Sequence, residues 1–195
     1  MAYCTIADVK AYTGVAATAD DVLIGSLITR AQDIIDKETL RTFEAAADST
    51  HYFDADLDAD NHLLDWTHYG LDLCQITSVT NGDGTVITAN QYVTEPRHAT
   101  PWYGIRLKAS AGLWWEADTN ADSQNAIAIE GRWAYSITPP DEIKHACIRL
   151  VTFLYRQKDS GVFDVVMVPG SGEMVVPQGM PKDVAVVLQH YRRLV

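Results

Sequence analysis

Basic side chains are scarce in this chain, as are cysteines and long apolar runs. Its 15 Lys and Arg stand against 26 Asp and Glu, a formal net charge of -11. Tight adhesion to a phosphate backbone draws on cations that neutralise phosphates and release counterions, so this balance disfavours a nucleic-acid binder. It does not exclude lining a passage through which DNA slides without sticking, where repulsion is useful. The cysteines, Cys4, Cys74 and Cys147, are odd in number, far apart and set among apolar residues. That pattern lacks the paired spacings of a disulfide or zinc framework and predicts buried free thiols. No apolar run approaches the ~20 residues of a membrane span. The segment from Met1 to Asp8 lacks the basic and apolar regions of a signal peptide. Together these absences predict a protein without a membrane span, made and used in a cytoplasm.

Catalytic signatures are missing too. The histidines His51, His62, His68, His98, His145 and His190 form no HExxH or other tight metal spacing. No GxSxG elbow supports a nucleophilic serine. Gly82-Asp83-Gly84 and Gly170-Ser171-Gly172 lack the following Lys and helix of a phosphate loop, and read as turns. No catalytic residue and no cofactor is assigned. One acidic run carries a weak calcium candidate, because Asp54, Asp56, Asp58 and Asp60 alternate and Asp65 falls where a calcium loop places its last ligand. Ala59 stands where that loop's sharp turn needs Gly, and Asp65 where Glu normally binds through both oxygens. The competing reading is a solvated acidic turn. Trp102-Tyr103 and Trp114-Trp115, with Trp66 and Trp133, are placed either to stack on a sugar or base or to build the core of a small lobe.

What the chain does have is a division. Its 195 residues suffice for one good core with a satellite lobe, since a chain of this size hides roughly 70% of its extended surface. Helical pairs over residues 5–42 and 139–194 enclose a stretch rich in Tyr, Trp, Thr, Asp and Gly that reads as strands and turns. The first helix starts at a Thr5 cap with Asp8 near its positive end, and stops at Gly14. The second begins at Asp20-Asp21 and carries Ile24, Leu27, Ile28, Ala31, Ile34, Ile35 and Glu38 at helical spacing. Thr138, Pro139 and Pro140 open the third, with Thr138 the candidate cap and a stripe of Ile143, Ala146, Cys147, Leu150, Val151, Leu154 and Tyr155 ending near Lys158. Pro181 opens the fourth, whose apolar face holds Val184, Val187, Leu188, Tyr191 and Leu194.

Between the pairs, strands are expected at Thr50–Phe53, His62–Trp66, Cys74–Val79, Tyr92–Thr94, Ile105–Leu107 and Ala126–Trp133. Asn81-Gly82-Asp83-Gly84 signals a hairpin, because Asn and Gly accept the positive φ that tight turns need. The residues on either side of Pro169-Gly170-Ser171-Gly172 read as a hairpin or an extended loop. The fold class expected is α+β, a four-helix terminal bundle of two N-terminal and two C-terminal helices with an inserted antiparallel β lobe. The domains are residues 1–46 with 139–195 for the helical core, and 47–138 for the lobe.

The two helical ends also carry a resemblance. Tyr3-Cys4-Thr5-Ile6-Ala7-Asp8-Val9-Lys10-Ala11-Tyr12, Ala31-Gln32-Asp33-Ile34-Ile35-Asp36 and Arg41-Thr42-Phe43 lie at one end. Pro140-Asp141-Glu142-Ile143-Lys144-His145-Ala146, Leu154-Tyr155-Arg156-Gln157-Lys158-Asp159 and Val187-Leu188-Gln189-His190-Tyr191-Arg192-Arg193 lie at the other. Together they resemble the tailed-phage head-to-tail connector family, the head-completion adaptors. That resemblance implies a structural virion protein of the neck, assembled in the host cytoplasm. It implies a ring of copies, a dodecamer, joining the portal protein to a head-tail stopper or tail completion protein around a channel that DNA crosses without specific binding. It carries no catalytic residues. The long middle lobe departs from the smallest members of the family, and we place it on the outer side of such a ring, a position the sequence does not fix.

Charge distribution agrees with a ring, which needs two unlike complementary faces. Residues 1–138 hold 20 of the 26 acids and 8 of the 15 bases, leaving a neutral-to-basic last third. His190, Tyr191, Arg192 and Arg193 are the candidate portal-docking residues, since Tyr and Arg are favoured anchors. Val166, Val168, Met174 and Val176, around the Gly-rich tip, are candidates for covering by a neighbouring subunit. Two other readings are an aromatic-lobed binding module for carbohydrate or protein, and a metal-dependent hydrolase using the acidic turn.

Overall fold

The computed structural model describes residues 2–60, 62–160, 166–167, 174–175 and 180–193. Among them are four α-helices and nine strands, and each paired set of strands runs antiparallel, so the chain is α+β. It divides into two compact units, Arg41–Pro139 and Ala2–Leu40 together with Pro140–Val195.

The second of these units is helical, with α1 (Ile6–Thr13), α2 (Asp21–Thr39), α3 (Asp141–Ser160) and α4 (Lys182–Tyr191). Thr5 caps α1 by accepting the Asp8 amide at 3.1 Å, and Asp8 returns the bond by accepting the Thr5 amide at 2.8 Å. This reciprocal box satisfies donors that a helix start otherwise leaves bare. Gly14 ends the helix at φ 74, and its amide reaches the Lys10 carbonyl.

In α2 the buried stripe is Ile24, Ile28, Ala31, Ile35 and Thr39. Glu38, expected on that face, is exposed, and the stripe ends instead on Thr39, whose hydroxyl donates to the Ile35 carbonyl at 2.7 Å. A threonine can be buried there because its one polar group is satisfied within its own helix. Asp20, at the start of α2, makes no capping bond. Its carboxylate accepts instead from the Tyr155 hydroxyl at 2.6 Å and Lys158 Nζ at 2.9 Å, both on α3.

The Lys144 amide donates to the Pro140 carbonyl at 2.9 Å, so Pro140 occupies the cap position of α3 and Thr138 does not. Ile143, Ala146, Cys147, Leu150 and Val151 are buried along α3, which runs on to Ser160. Val184 and Leu188 seat α4, and the Arg193 amide closes onto the Thr39 carbonyl at 2.9 Å. Within this unit α3 packs against each of the other three helices, and α2 packs against α1 and α4. Each fully buried Ile or Leu contributes about 1.5–3 kcal/mol relative to exposure, so the stripes rather than local propensity hold the unit together. Two short strands, β8 (Val166–Met167) and β9 (Met174–Val175), pair antiparallel in backbone register Val166 to Val175. Val168, Val176 and Leu194 lie outside the described residues.

The other unit contains β1 (Ser49–Phe53), β2 (Ala59–Asp60), β3 (Leu63–Asp65), β4 (Gln75–Thr80), β5 (Tyr92–Glu95), β6 (Gly104–Leu107) and β7 (Ile127–Arg132). They form two sheets, ordered β1-β7-β4 and β2-β3-β6-β5. Burial alternates along the central strand β7, with Ile127 and Ile129 turned inward, as one packed face requires. Phe53, Leu64, Trp66, Leu73, Val79, Ile105 and Trp115 complete a single core cluster fed by both sheets. At Gly131 β7 passes so close to β4 that a Cβ would lie 2.1 Å from the Gln75 carbonyl oxygen, beside a register shift between Ile76 and Ser78.

The hairpin signal is realised, by a different division of labour. Ile87 and Asn81 donate amides across to the Val79 and Thr85 carbonyls, both at 2.9 Å. Positive φ falls on Gly84, at 85°, and not on Asn81. Gly82 is needed for space, since a Cβ there would lie 2.1 Å from the Glu116 carbonyl oxygen. Asn81 is buried, donating through its amide nitrogen to the Trp114 carbonyl at 2.8 Å and accepting the Glu116 amide at 3.0 Å. Thr85–Ile87 contributes a single bridge, Thr80 to Val86, and no full strand.

Candidate interaction surfaces

In the helical unit the candidate docking residues lie at the end of α4, and a groove runs beside that helix. His190 and Arg192 are exposed, whereas Tyr191 is half-buried and donates its hydroxyl to Glu142 at 3.0 Å. Arg193 is half-buried as well. The four residues are thus unequal, two free to meet a partner and two engaged with the helical unit. Of the apolar candidates around the Gly-rich tip, Val166 and Met174 fall in β8 and β9, and the other two are among the residues not described.

Beside α4 runs a groove of about 520 Å³, lined by Asp141, Glu142, His145, Arg149, Asp183 and Val184 among others. Arg149 organises it, donating Nε to Asp183 at 2.8 Å and a terminal nitrogen to the Tyr12 hydroxyl at 3.1 Å. Those bonds raise the guanidinium above its ordinary value and hold the Asp183 carboxyl below the usual carboxylate range. The Tyr12 ring meets His145 edge-on, with centroids 5.8 Å apart. One cation therefore orients α1, α3 and α4 together. Sequence spacing gave no sign of this node, because its members are 34 and 137 positions apart.

Other charges are matched in the same way. Lys144 Nζ lies 3.1 Å from Asp8, and Lys10 Nζ 2.8 Å from Asp21. The Asp8 carboxyl is held below the carboxylate range, first by the Thr5 amide and hydroxyl and then by Lys144. For Asp20 the Tyr155 hydroxyl and then Lys158 do the same. Two of these pairs, Lys144 with Asp8 and Lys158 with Asp20, join the acidic N-terminal helices to the last third inside the helical unit. Exposed pairs of this kind add little stability, and they act mainly by fixing which helix faces meet.

In the β unit the acidic run serves local geometry. Asp58 is buried, taking the Asp54 amide at 2.7 Å and the Tyr69 hydroxyl at 3.3 Å, with His68 Nε2 at 3.0 Å from its other oxygen. Asp54 accepts the Asn125 amide at 2.7 Å, and Asp65 accepts the Thr67 amide at 2.6 Å. Asp56 and Asp60 are exposed. Among the described residues no three His, Cys, Asp or Glu are grouped to hold a metal ion. The tryptophans divide likewise: Trp66 and Trp115 lie in the core, Trp102 and Trp133 pack against it, and Trp114 is 51% exposed with its ring 4.3 Å from that of His62.

No described helix is long and apolar enough to cross a membrane. No curated protein sequence matches the chain. The family model described as Head completion protein matches residues 2–194, which takes in both helical ends and the whole β unit. The chain therefore belongs to the head completion protein family, bacteriophage structural proteins of virion assembly.

Proposed function

We propose that this chain is a head-to-tail adaptor that forms a ring beneath the portal, a dodecamer, and joins it to a head-tail stopper or tail completion protein around the DNA channel. Family membership over residues 2–194 is the observation that carries this reading. The four helices, residues 1–46 with 139–195, act as the adaptor core, and the β lobe, 47–138, faces outward from the ring. Exposed His190 and Arg192, flanking Tyr191 and followed by Arg193, support the end of α4 as the portal contact. Val166, Val168, Met174 and Val176 would pair with a neighbouring subunit through main-chain hydrogen bonds. A net charge of -11 supports a channel that DNA crosses without specific binding. Subunits assemble in the host cytoplasm and end in the virion neck, where they do no catalysis.

Electron microscopy of the full chain mixed with its portal tests the proposal. A closed ring of density on one face of the portal is expected. Portal particles without added density, together with a single-subunit mass in solution at high concentration, would overturn it. An aromatic-lobed module for carbohydrate or protein is the second reading, favoured by exposed Trp114, whose ring lies tilted beside that of His62. Binding to a glycan array that disappears in Trp114→Ala would support that reading instead.

A further inference from the structure

Two of the three cysteines, separated by 143 positions, meet inside the helical unit. Cys4 and Cys147 place their Sγ atoms 3.3 Å apart. Cys4 is 2% exposed and Cys147 0%, and neither is bonded to another group through sulfur. Cys74 lies in the β unit, its Sγ 3.4 Å from the Arg132 carbonyl oxygen. We propose that Cys4 and Cys147 are a disulfide-forming pair, a modification site at which a small-molecule disulfide oxidises the two thiols and ties the segment ahead of α1 covalently to α3.

Geometry supports this pair and no other. Two sulfurs at that separation need to close by little more than an ångström to reach a bond of about 2.05 Å, and one of them sits on a short segment outside any helix. An oxidant would reach the covered thiol by displacing that segment, Ala2–Thr5, which breaks the Tyr3–Asp36 bond and the Thr5 cap and leaves the hydrogen bonds within α2 and α3 in place. The Cys147 thiol beside it holds the Cys4 sulfur below its ordinary value, and Cys147 is pushed up by the same contact and by burial. Cys4, on the segment outside any helix, is the thiol placed to attack, and Cys147, fixed in α3, is placed to resolve.

The exchange balances in two steps. Cys4 Sγ attacks the small disulfide, forms a mixed disulfide and expels one small thiolate. Cys147 Sγ then attacks Cys4 Sγ, forming the Cys4–Cys147 bond and expelling the second. Two protein thiols are oxidised, one small disulfide is reduced to two thiols, and the two protons leave on those products. Thiols of this kind stay reduced in a cytoplasm and close in an oxidising milieu. On the adaptor reading, the bond would form after a virion leaves its host.

The test incubates the full chain with oxidised glutathione and then maps its peptides by mass spectrometry without reduction. A peptide carrying Cys4 joined to one carrying Cys147 is expected, with Cys74 still reduced, monomeric mobility on a non-reducing gel and a loss of two hydrogen atoms. The unfolding midpoint of the oxidised chain is expected to rise by about 5 °C or more, a shift absent from Cys4→Ser and present in Cys74→Ala. Three free thiols after oxidation, a glutathione adduct that never resolves, a link through Cys74, or a dimer would each overturn the proposal. The readout needs no portal and no ring, so its failure leaves the adaptor reading intact.

Discussion

The Tyr3 hydroxyl donates to an Asp36 carboxylate oxygen at 2.5 Å, bonding the segment ahead of α1 to the last turns of α2. Burial pushes the Asp36 carboxyl up, and the Tyr3 bond pulls it part of the way back. Tyr3→Phe keeps the buried ring and removes that donor. It should lower the stability of the helical unit by about 1–3 kcal/mol. It should also raise the Asp36 carboxyl further, visible as an upward move of its carbon-13 titration midpoint.

Asp8, Asp20 and Asp183 have the opposite sign. Each folded carboxyl is held below the 3.8 of an ordinary aspartate. Their contribution is fully present above that value and is lost as pH falls through the lower, folded values. Asp36, raised in the fold, gains on the same descent, because its folded form takes up a proton before its unfolded form does. Thermal unfolding followed between pH 5 and pH 2 should show a falling midpoint below about pH 4. Asp183→Asn should flatten that fall, and Asp36→Asn should steepen it.

Gly82 and Gly84 occupy the same turn for unlike reasons, so the same substitution should act differently at each. An added Cβ at Gly82 meets the Glu116 oxygen at 2.1 Å and the Ala117 carbonyl carbon at 2.6 Å, all backbone. Gly82→Ala should cost about 1–3 kcal/mol or prevent the β unit from forming. Gly84, at φ 85 with nothing within 4 Å of the added carbon, should accept Asn with little loss and Ala at a cost of about 1 kcal/mol. Urea unfolding followed by tryptophan fluorescence reads both.

Asn81→Ala tests the clasp behind that turn. It strips the Trp114 carbonyl and the Glu116 amide of their side-chain partner at a buried position. The β unit should lose about 2–3 kcal/mol. Asn81→Asp keeps the acceptor for Glu116 but sets a buried carboxylate oxygen against the Trp114 carbonyl, so it should cost at least as much as Ala.

For the proposed docking surface, Arg192→Glu reverses an exposed charge without touching a buried bond. Portal affinity should drop by about tenfold or more while the thermal midpoint stays within a degree or two. Tyr191→Phe removes the bond to Glu142. It should affect stability more than docking, so the two variants separate anchor from scaffold.

Periodicity was enough to locate the helices, because stripes such as Ile24, Ile28, Ala31 and Ile35 are local patterns written every three or four residues. The alternating strand β7 and the Gly14 stop were legible for the same reason. Cap assignment went one way at Thr5 and the other at Thr138, since a cap depends on where the first carbonyl bond closes and not on hydroxyl chemistry alone. The acidic run carried a true spacing with another use, because Asp58 is enclosed by Tyr69 and His68, whose approach is tertiary. Arg149 with Tyr12, and Cys4 with Cys147, join positions more than a hundred residues apart. No local pattern announces such partners.

The helical unit is assembled from chain on both sides of Arg41–Pro139. A ribosome therefore delivers α1 and α2 first, then everything the β unit needs, and only afterwards the α3 and α4 against which Ile24, Ile28 and Ile35 are covered. A nascent chain that has not yet reached α3 leaves the apolar stripe of α2 without that partner. The stripe on α2 thus meets α3 and α4 only once nearly the whole chain has been made.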